Sequence, residues 1–262
     1  MKRQEEVLFL GTGAADWRPD MHDQSGYRRL SSIMIGDMLL IDPGPQIFEF
    51  AMHAGNTGMY DKIDTVLLTH SHSDHFNIET LKRLAQDKQI TMYCSKQVAN
   101  KLRIALAEND NIVLNDIEPF MTFEVGIYTI TALIANHLAN DFDEQTFHYI
   151  VEVNGKTIFY GCDGAWLPQS TWYYMKNKQF NLMIMDGTLG DAYGDYRIFE
   201  HNSLRMVELM AETFRTCHVI KSDGRIFISH LSYESQECQK ECEKRLEKSD
   251  IGVAYDGLCI LP

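Results

Sequence analysis

Basic residues are in short supply: 24 lysines and arginines stand against 37 aspartates and glutamates, for a formal net charge of -13. A field of that sign repels polyanions, which excludes general nucleic-acid binding and leaves room only for a local basic pocket holding one phosphate. Cysteine is sparse too. The six, Cys94, Cys162, Cys217, Cys238, Cys242 and Cys259, are scattered, so nothing indicates a secreted disulfide framework. Cys238 and Cys242 share a helical i, i+4 spacing without neighbouring ligands and read as structural, and Cys162 reads as a small core residue. No hydrophobic run approaches the roughly 18 residues that a membrane span needs. The apolar run Val7 to Leu10, behind Met1-Lys2-Arg3-Gln4-Glu5-Glu6, is too short for a signal-peptide core with a cleavage site. No membrane association is expected, and the expected location is the cytoplasm. Short repeats, low-complexity segments and separating linkers are missing as well. At 262 residues and 45% hydrophobic, residues 1–262 are expected to form one domain with a sizeable core.

Against that background one stretch stands out: Thr69-His70-Ser71-His72-Ser73-Asp74-His75, entered from Val66-Leu67-Leu68 and left into Phe76-Asn77-Ile78. Three imidazoles and a carboxylate after a buried strand and before a helix point to shared metal, and the ligand set suits zinc, manganese or ferrous iron. In extended chain His70 and His72 fall on one side and can chelate one ion, because alternate side chains share a face. Asp74 and His75 follow where the helix starts and can address a second ion.

Strand and turn signals surround this motif. Gly11-Thr12-Gly13 after Val7 to Leu10 lacks the third glycine and the following helix of a dinucleotide site and reads as a tight turn. Residues 15–29 read as loop. Gly36-Asp37 is a hairpin turn between Ser31-Ile35 and Met38-Asp42, and Asn154-Gly155-Lys156 is a hairpin signal between residues 147–153 and 157–161. Helices are expected over 46–54, 76–88, 96–108, 202–215 and 235–248, and a last hairpin over 253–260 around Asp256-Gly257. Polar residues close apolar strands at His137, Asp163, Asp186 and His230. Strand ends far apart in sequence can converge on one rim, and the mixture of hairpins and alternating helices fits a two-sheet sandwich.

With these residues the sequence resembles the metallo-β-lactamase superfamily of dinuclear hydrolases, over nearly the whole chain from Leu10-Gly11-Thr12-Gly13-Ala14-Ala15 through His230. The resemblance implies an α/β (α+β) fold, the four-layer αβ/βα sandwich of two mixed sheets with outer helices and metals at one edge. It places His137 with His70 and His72 on the first metal, His230 with Asp74 and His75 on the second, and Asp163 as the bridge. It implies two divalent ions, zinc foremost and manganese or iron as alternatives, and hydrolysis by a bridging hydroxide. Asp42 would then orient a ligand histidine or merely shape a turn, and Asp64 has a weaker claim of the same kind. Oxygen-reducing diiron members carry glutamate where this chain has His72, which points away from redox chemistry.

Met185-Asp186-Gly187-Thr188 and Glu200-His201-Asn202-Ser203-Leu204 are similar to paired elements of the branch that contains the cyclic-phosphate phosphodiesterases and the tRNA 3′-processing endonucleases. A departing alkoxide needs a proton, and an imidazolium held by a carboxylate can give one. The expected catalytic set is therefore Asp74, His201 and Asp186, with a strand end and a helix cap as the plain alternatives for Asp186 and His201. The leading substrate is a small or cyclic phosphodiester, since no basic, glycine-rich tRNA-grasping arm is evident and the acidic charge suits a small substrate better; the lack of any cysteine before Tyr93 departs from the structural zinc site frequent in cyclic-phosphate relatives and counts against a close assignment to them. Arg28, Arg29 and Arg197 could contact phosphate or could simply be solvated. Two other readings are carried: a lactonase or thioesterase, and a non-catalytic metal-dependent sensor or binding module. A homodimer is left open.

Overall fold

The protein is described by a computed structural model covering residues 4–106, 111–192, 196–235 and 238–262. In chain order its first half runs β1 (Val7–Gly11), β2 (Ser32–Ile35), β3 (Leu39–Ile41), α1 (Ile47–His53), β4 (Thr65–Leu67), α2 (Ile78–Leu84), β5 (Ile90–Ser95), α3 (Lys96–Ala105) and β6 (Ile112–Ile117). The second half runs β7 (Thr122–Val125), β8 (Tyr128–Ile134), β9 (Phe147–Val153), β10 (Lys156–Gly161), α4 (Gln169–Met175), β11 (Phe180–Asp186), α5 (Leu204–Thr216), β12 (Ile220–Ser229), α6 (Gln239–Leu246) and β13 (Ile251–Val253), and β14 (Cys259–Ile260) follows.

Among the described residues the strands form two seven-stranded sheets, ordered β14-β1-β2-β3-β4-β5-β6 and β13-β12-β11-β10-β9-β8-β7. Both are mixed. β1 to β3 pair antiparallel and β3 to β6 parallel; β7 to β10 pair antiparallel and β10 to β13 parallel. Period-two alternation decides the layering. Phe9, Ile33, Ile35, Leu39, Ile41 and Leu67 face Tyr149, Val151, Ile158, Tyr160, Leu182 and Ile184 across the inter-sheet core. Their neighbours Leu10, Met34, Leu40 and Val66 point outward onto α1, α2 and α3. Phe159, Met183, Ile226 and Ile228 point outward onto α5 and α6. The result is the expected four-layer αβ/βα sandwich. No helix among the described residues is long and apolar enough to cross a membrane.

Several element boundaries differ from expectation. α2 starts at Ile78 because the side chain of Asn77 accepts from Thr80 N, and residues 72–76 instead form a turn in which His75 N and Phe76 N donate to His72 O. The helices expected over 96–108 and 235–248 are seen as α3 and α6; residues 107–108 and 236–237, like 1–3, lie outside the described residues. β6, β7 and α4 were not anticipated. β6 and β7 are the outermost strands of their sheets and are partly exposed, so apolar periodicity is weak in them. The hairpin expected over 253–260 is not one: β13 lies parallel to β12 in the second sheet, whereas β14 lies antiparallel to β1 in the first. The Asp256-Gly257 turn carries the chain between sheets, and the Asp256 carboxylate accepts from Thr12 Oγ1 (2.8 Å) and Arg29 N (2.7 Å).

Two of the three arginines noted in the sequence are committed to this junction. Arg28 donates to Thr12 Oγ1 and Ala254 O at 2.7 Å and also to Gln239. Arg29 pairs with Glu49 at 2.9 Å and Asp256 at 3.5 Å. Closer to the histidine motif, the Tyr149 hydroxyl donates to Leu68 O at 2.6 Å and ties the second sheet to the strand end that carries His70. Tyr149→Phe removes this bond and strands a buried carbonyl. It should cost about 1–3 kcal/mol, read as a lower urea midpoint at unchanged slope; an unchanged midpoint would contradict the link.

Candidate metal centre

Strand ends from both sheets supply the site. Asp42 follows β3, His70 follows β4, His137 follows β8, Asp163 follows β10, Asp186 ends β11 and His230 follows β12. β8, β10, β11 and β12 run in one direction, so their carboxyl ends share a rim. The motif loop reaches that rim through a close backbone approach: a Cβ on Gly44 would stand 2.8 Å from Asp74 O, so Pro43-Gly44-Pro45 needs its glycine. Glu144 holds the same loop from the other side, accepting from Ser71 N (2.7 Å) and Ser71 Oγ (2.6 Å) between His70 and His72.

All seven residues that the resemblance put forward as ligands are brought together, in two groups. The ligand atoms of His70, His72, His137 and Asp163 lie within 4.8 Å of one another, as do those of Asp74, His75, Asp163 and His230. Asp163 belongs to both. In the first group His70 Nε2 is 2.8 Å and His137 Nε2 3.2 Å from His72 Nδ1, and both Nε2 atoms are 3.7 Å from Asp163 Oδ2. In the second, His75 Nε2 is 3.2 Å from His230 Nε2, 3.4 Å from Asp74 Oδ2 and 3.2 Å from Asp163 Oδ2; His230 Nε2 is 3.0 Å from Asp163 Oδ1 and 3.3 Å from Asp74 Oδ2. Four ligands placed 2.0–2.1 Å from a tetrahedral ion would be about 3.3 Å apart. The observed edges bracket that value.

Protonation fits the same picture. Burial lowers His70 well below the ordinary imidazole range, lowers His72 and takes His137 down to about 4, so all three keep lone pairs for a cation. In the second group burial also lowers His75 and His230, but neighbouring carboxylates outweigh it, Asp163 foremost, and His230 rises to about 10. Protons there hold the place of positive charge that Asp74 and Asp163 demand. Asp163 Oδ1 is buried without a hydrogen-bond partner and stands 3.0 Å from His230 Nε2 as an ion pair. An orphaned buried carboxylate oxygen facing imidazole nitrogens is what a cation would satisfy.

The groups behind the ligands are equally ordered. His75 Nδ1 donates to Asp42 Oδ2 at 2.8 Å, and Asp42 also accepts from Thr69 N at 2.8 Å, so Asp42 orients a histidine and is not only a turn residue. Asp64 bonds Thr65 Oγ1 and takes no part in either ligand group. His148, buried in β9, donates to Asp163 O at 2.8 Å. His201 Nδ1 donates to Asp186 Oδ2 at 2.8 Å, which brings the expected catalytic pair together beside the ligands. Burial lowers His201, but Asp186 outweighs it and the net shift is upward. Sequence reasoning missed Thr69, Glu144, His148 and Thr188; of these only His148, a polar residue inside an apolar strand, gave a signal.

A cavity of about 330 Å³ opens on the site, lined among others by His72, Asp74, His137, Asp163, Arg197, His201 and His230. Two facing mixed sheets with helices outside, carrying clustered histidines and aspartates on one rim, make up the metallo-β-lactamase fold with sites able to hold divalent metal. Residues 38–222 match the model of the beta-lactamase superfamily domain, and the chain belongs to that family. Zinc-bound PqqB from Methylobacterium extorquens superposes with a TM-score of 0.77 at 18% identity, covering 98% of this chain and 100% of that one. A diphosphatase of the PhnP family gives 0.76 at 17%, covering 98% and 97%. Human tRNase Z, short form, gives 0.70 at 18%, covering 98% of each. These likenesses show the fold. An octanoyltransferase of Porphyromonas gingivalis is 26% identical over 153 residues, 50% of this chain, and the match covers 30% of that longer protein.

Chelator-stripped protein should take up two zinc equivalents per chain and melt at a higher temperature when loaded. Asp163→Ala should weaken both equivalents by more than the about 100-fold that supporting residues are worth, read by competition with a chromophoric chelator. Unchanged stoichiometry and affinity in that variant would rule out a shared carboxylate.

Proposed function

We propose that residues 1–262 act as one cytoplasmic domain that hydrolyses a small or cyclic phosphodiester. Two divalent ions, zinc foremost, are assigned to His70, His72, His137 and Asp163 on one side and to Asp74, His75, His230 and Asp163 on the other. Ions held there supply two things: acidification of water and compensation of charge on the attacked oxygen.

The chain's own contribution is proton delivery and binding, and the observation that carries the choice of phosphorus is the Asp186–His201 pair at 2.8 Å. Asp186 fixes the ring through Nδ1 and favours the imidazolium, so the other nitrogen can give a proton to a departing alkoxide. Hydrolysis of a thioester, which expels a stable thiolate, has less need of such a donor; a lactone, which expels an alkoxide, is told apart by turnover rather than by this pair. Arg197, on the short helical turn Tyr196–Phe199, lines the same cavity and offers a guanidinium to a phosphate oxygen. Likeness to a PhnP-family diphosphatase supports the reading. Likeness to human tRNase Z supports the same branch with a larger substrate, but the net charge of -13 and a cavity of about 330 Å³ favour a small one.

A second reading, a lactonase or thioesterase, draws on the likeness to an octanoyltransferase. It also draws on two exposed apolar residues, Leu138 and Phe199, adjacent in sequence to the cavity-lining His137 and Glu200.

Bis-(p-nitrophenyl) phosphate, a ribose cyclic phosphate, lactones and a glutathione thioester, offered to the zinc-loaded protein, separate the readings; turnover confined to the carbonyl substrates would defeat the first. His201→Ala should lower kcat about 10²–10⁴-fold on an alkyl phosphodiester and much less on the activated aryl ester. Equal losses on both would refute the proton-donor role. Arg197→Ala should raise KM roughly 10–100-fold, equivalent to about 1.5–3 kcal/mol for a charged hydrogen bond, with little change in kcat.

A further inference from the structure

We infer that Thr188 is a positioning residue that fixes the imidazole of His230 with its proton on Nδ1 and its Nε2 presented to a cation, by relaying the carboxylate of Asp186. The inference rests on His230 as a metal ligand but not on which bond is hydrolysed.

The hydroxyl of Thr188 lies 2.7 Å from His230 Nδ1, 3.0 Å from Asp186 Oδ2 and 2.8 Å from His230 O. A carboxylate and a carbonyl can only accept, so the single hydroxyl hydrogen points at one of them. Toward Nδ1 the hydroxyl therefore offers a lone pair, and the ring must donate there. Nε2 faces Asp163 Oδ1 at 3.0 Å, Asp74 Oδ2 at 3.3 Å and His75 Nε2 at 3.2 Å. The tautomer that Thr188 enforces is the one that can ligate through Nε2.

The first sheet contains the same device, which argues that it is built rather than incidental. Asp42, beyond β3, accepts from the Thr69 hydroxyl at 3.0 Å, and that hydroxyl stands 2.9 Å from His70 Nδ1. Asp42 holds a second imidazole directly, His75 at 2.8 Å. Asp186, at the end of β11, likewise holds one imidazole through a threonine, His230, and one directly, His201 at 2.8 Å. Each sheet thus contributes one carboxylate, one threonine relay and two oriented rings. In the second sheet the two rings have different duties. The Thr188 hydroxyl lies 2.7 Å from His230 Nδ1 and 3.3 Å from His201 Nδ1; removing it takes the relay from His230, while His201 keeps its direct 2.8 Å bond to Asp186 and Thr188 N its 2.9 Å bond to the same carboxylate.

The test uses full-length protein and zinc as the probe, with affinity of each equivalent read by chelator competition. Thr188→Val keeps the side-chain shape and should weaken one zinc equivalent about 10–100-fold while sparing the other; Thr188→Ser should restore it, and His201→Ala should leave both tight. Nitrogen-15 NMR of the zinc-loaded wild type, which needs no folded variant, should show His230 protonated on Nδ1. Two wild-type-like equivalents in Thr188→Val, failure of serine to restore binding, or a His230 proton on Nε2 would each overturn the inference. If the wild type turns over no phosphodiester yet Thr188→Val loses zinc as described, the functional reading fails and the relay stands.

Discussion

The carboxylate of Asp163, almost wholly buried between two sets of imidazoles, sets the electrostatic terms for the rim. A buried anion is tolerated only beside compensating positive charge. Without a cation, protons on His75 and His230 meet that demand and use the nitrogen lone pairs that would otherwise face Asp163. A divalent ion meets the same demand and leaves those lone pairs engaged as ligands. The fold makes the alternative workable by holding Asp163 still. It follows β10, a strand paired on both sides, and its backbone carbonyl accepts from buried His148.

Rigidity at the rim extends through the two carboxylates behind it. Asp42 and Asp186 are both fully buried, and each spends its oxygens on a threonine hydroxyl, a backbone N–H and an imidazole. Polar groups so deep are held in place because their acceptor positions are matched to donors. Asp42 and His230 also sit in the left-handed backbone region, at φ 61 and 57, a conformation that costs non-glycine residues about 1–3 kcal/mol and persists where the surroundings dictate it. In both cases the strand must turn sharply to aim a side chain at the centre, and the polar bonds offset the backbone cost.

What the sequence disclosed follows from how local each signal was. His70 to His75 were legible because ligand spacing, strand entry and helix exit occupy one continuous stretch. His137, Asp163, Asp186 and His230 were legible as polar ends of apolar strands, but only the fold brings those ends together. The hairpin around Gly36-Asp37 was legible because it is also local, although its loop has three residues, Gly36-Asp37-Met38, with Ile35 opposite Leu39, where two were expected. Asp256-Gly257 carries similar turn chemistry and was misread, since the strands around it find their partners in different sheets. For Arg28 and Arg29 the sequence left phosphate contact and solvation both open, and tertiary structure commits them instead to the inter-sheet junction. Thr69 and Thr188 lay inside two of the motifs but without a role, because a hydroxyl that relays a carboxylate to a ring is recognised only from three-dimensional distance.

Charge distribution finally constrains what the cavity can admit. The chain as a whole is negative, and in the proposed function two divalent ions with Arg197 and His201 would set positive charge against the cavity's own Asp16, Asp74, Asp163 and Glu200. At physiological ionic strength fields decay over about 8 Å, so a single phosphodiester inside the cavity interacts mainly with this inner positive set. A polynucleotide extends past that distance, and each further phosphate meets the acidic exterior. On the proposed function, selection for a small anion over a long one would then need no barrier at the entrance, because an ion-loaded cavity would contrast with a chain that is negative overall.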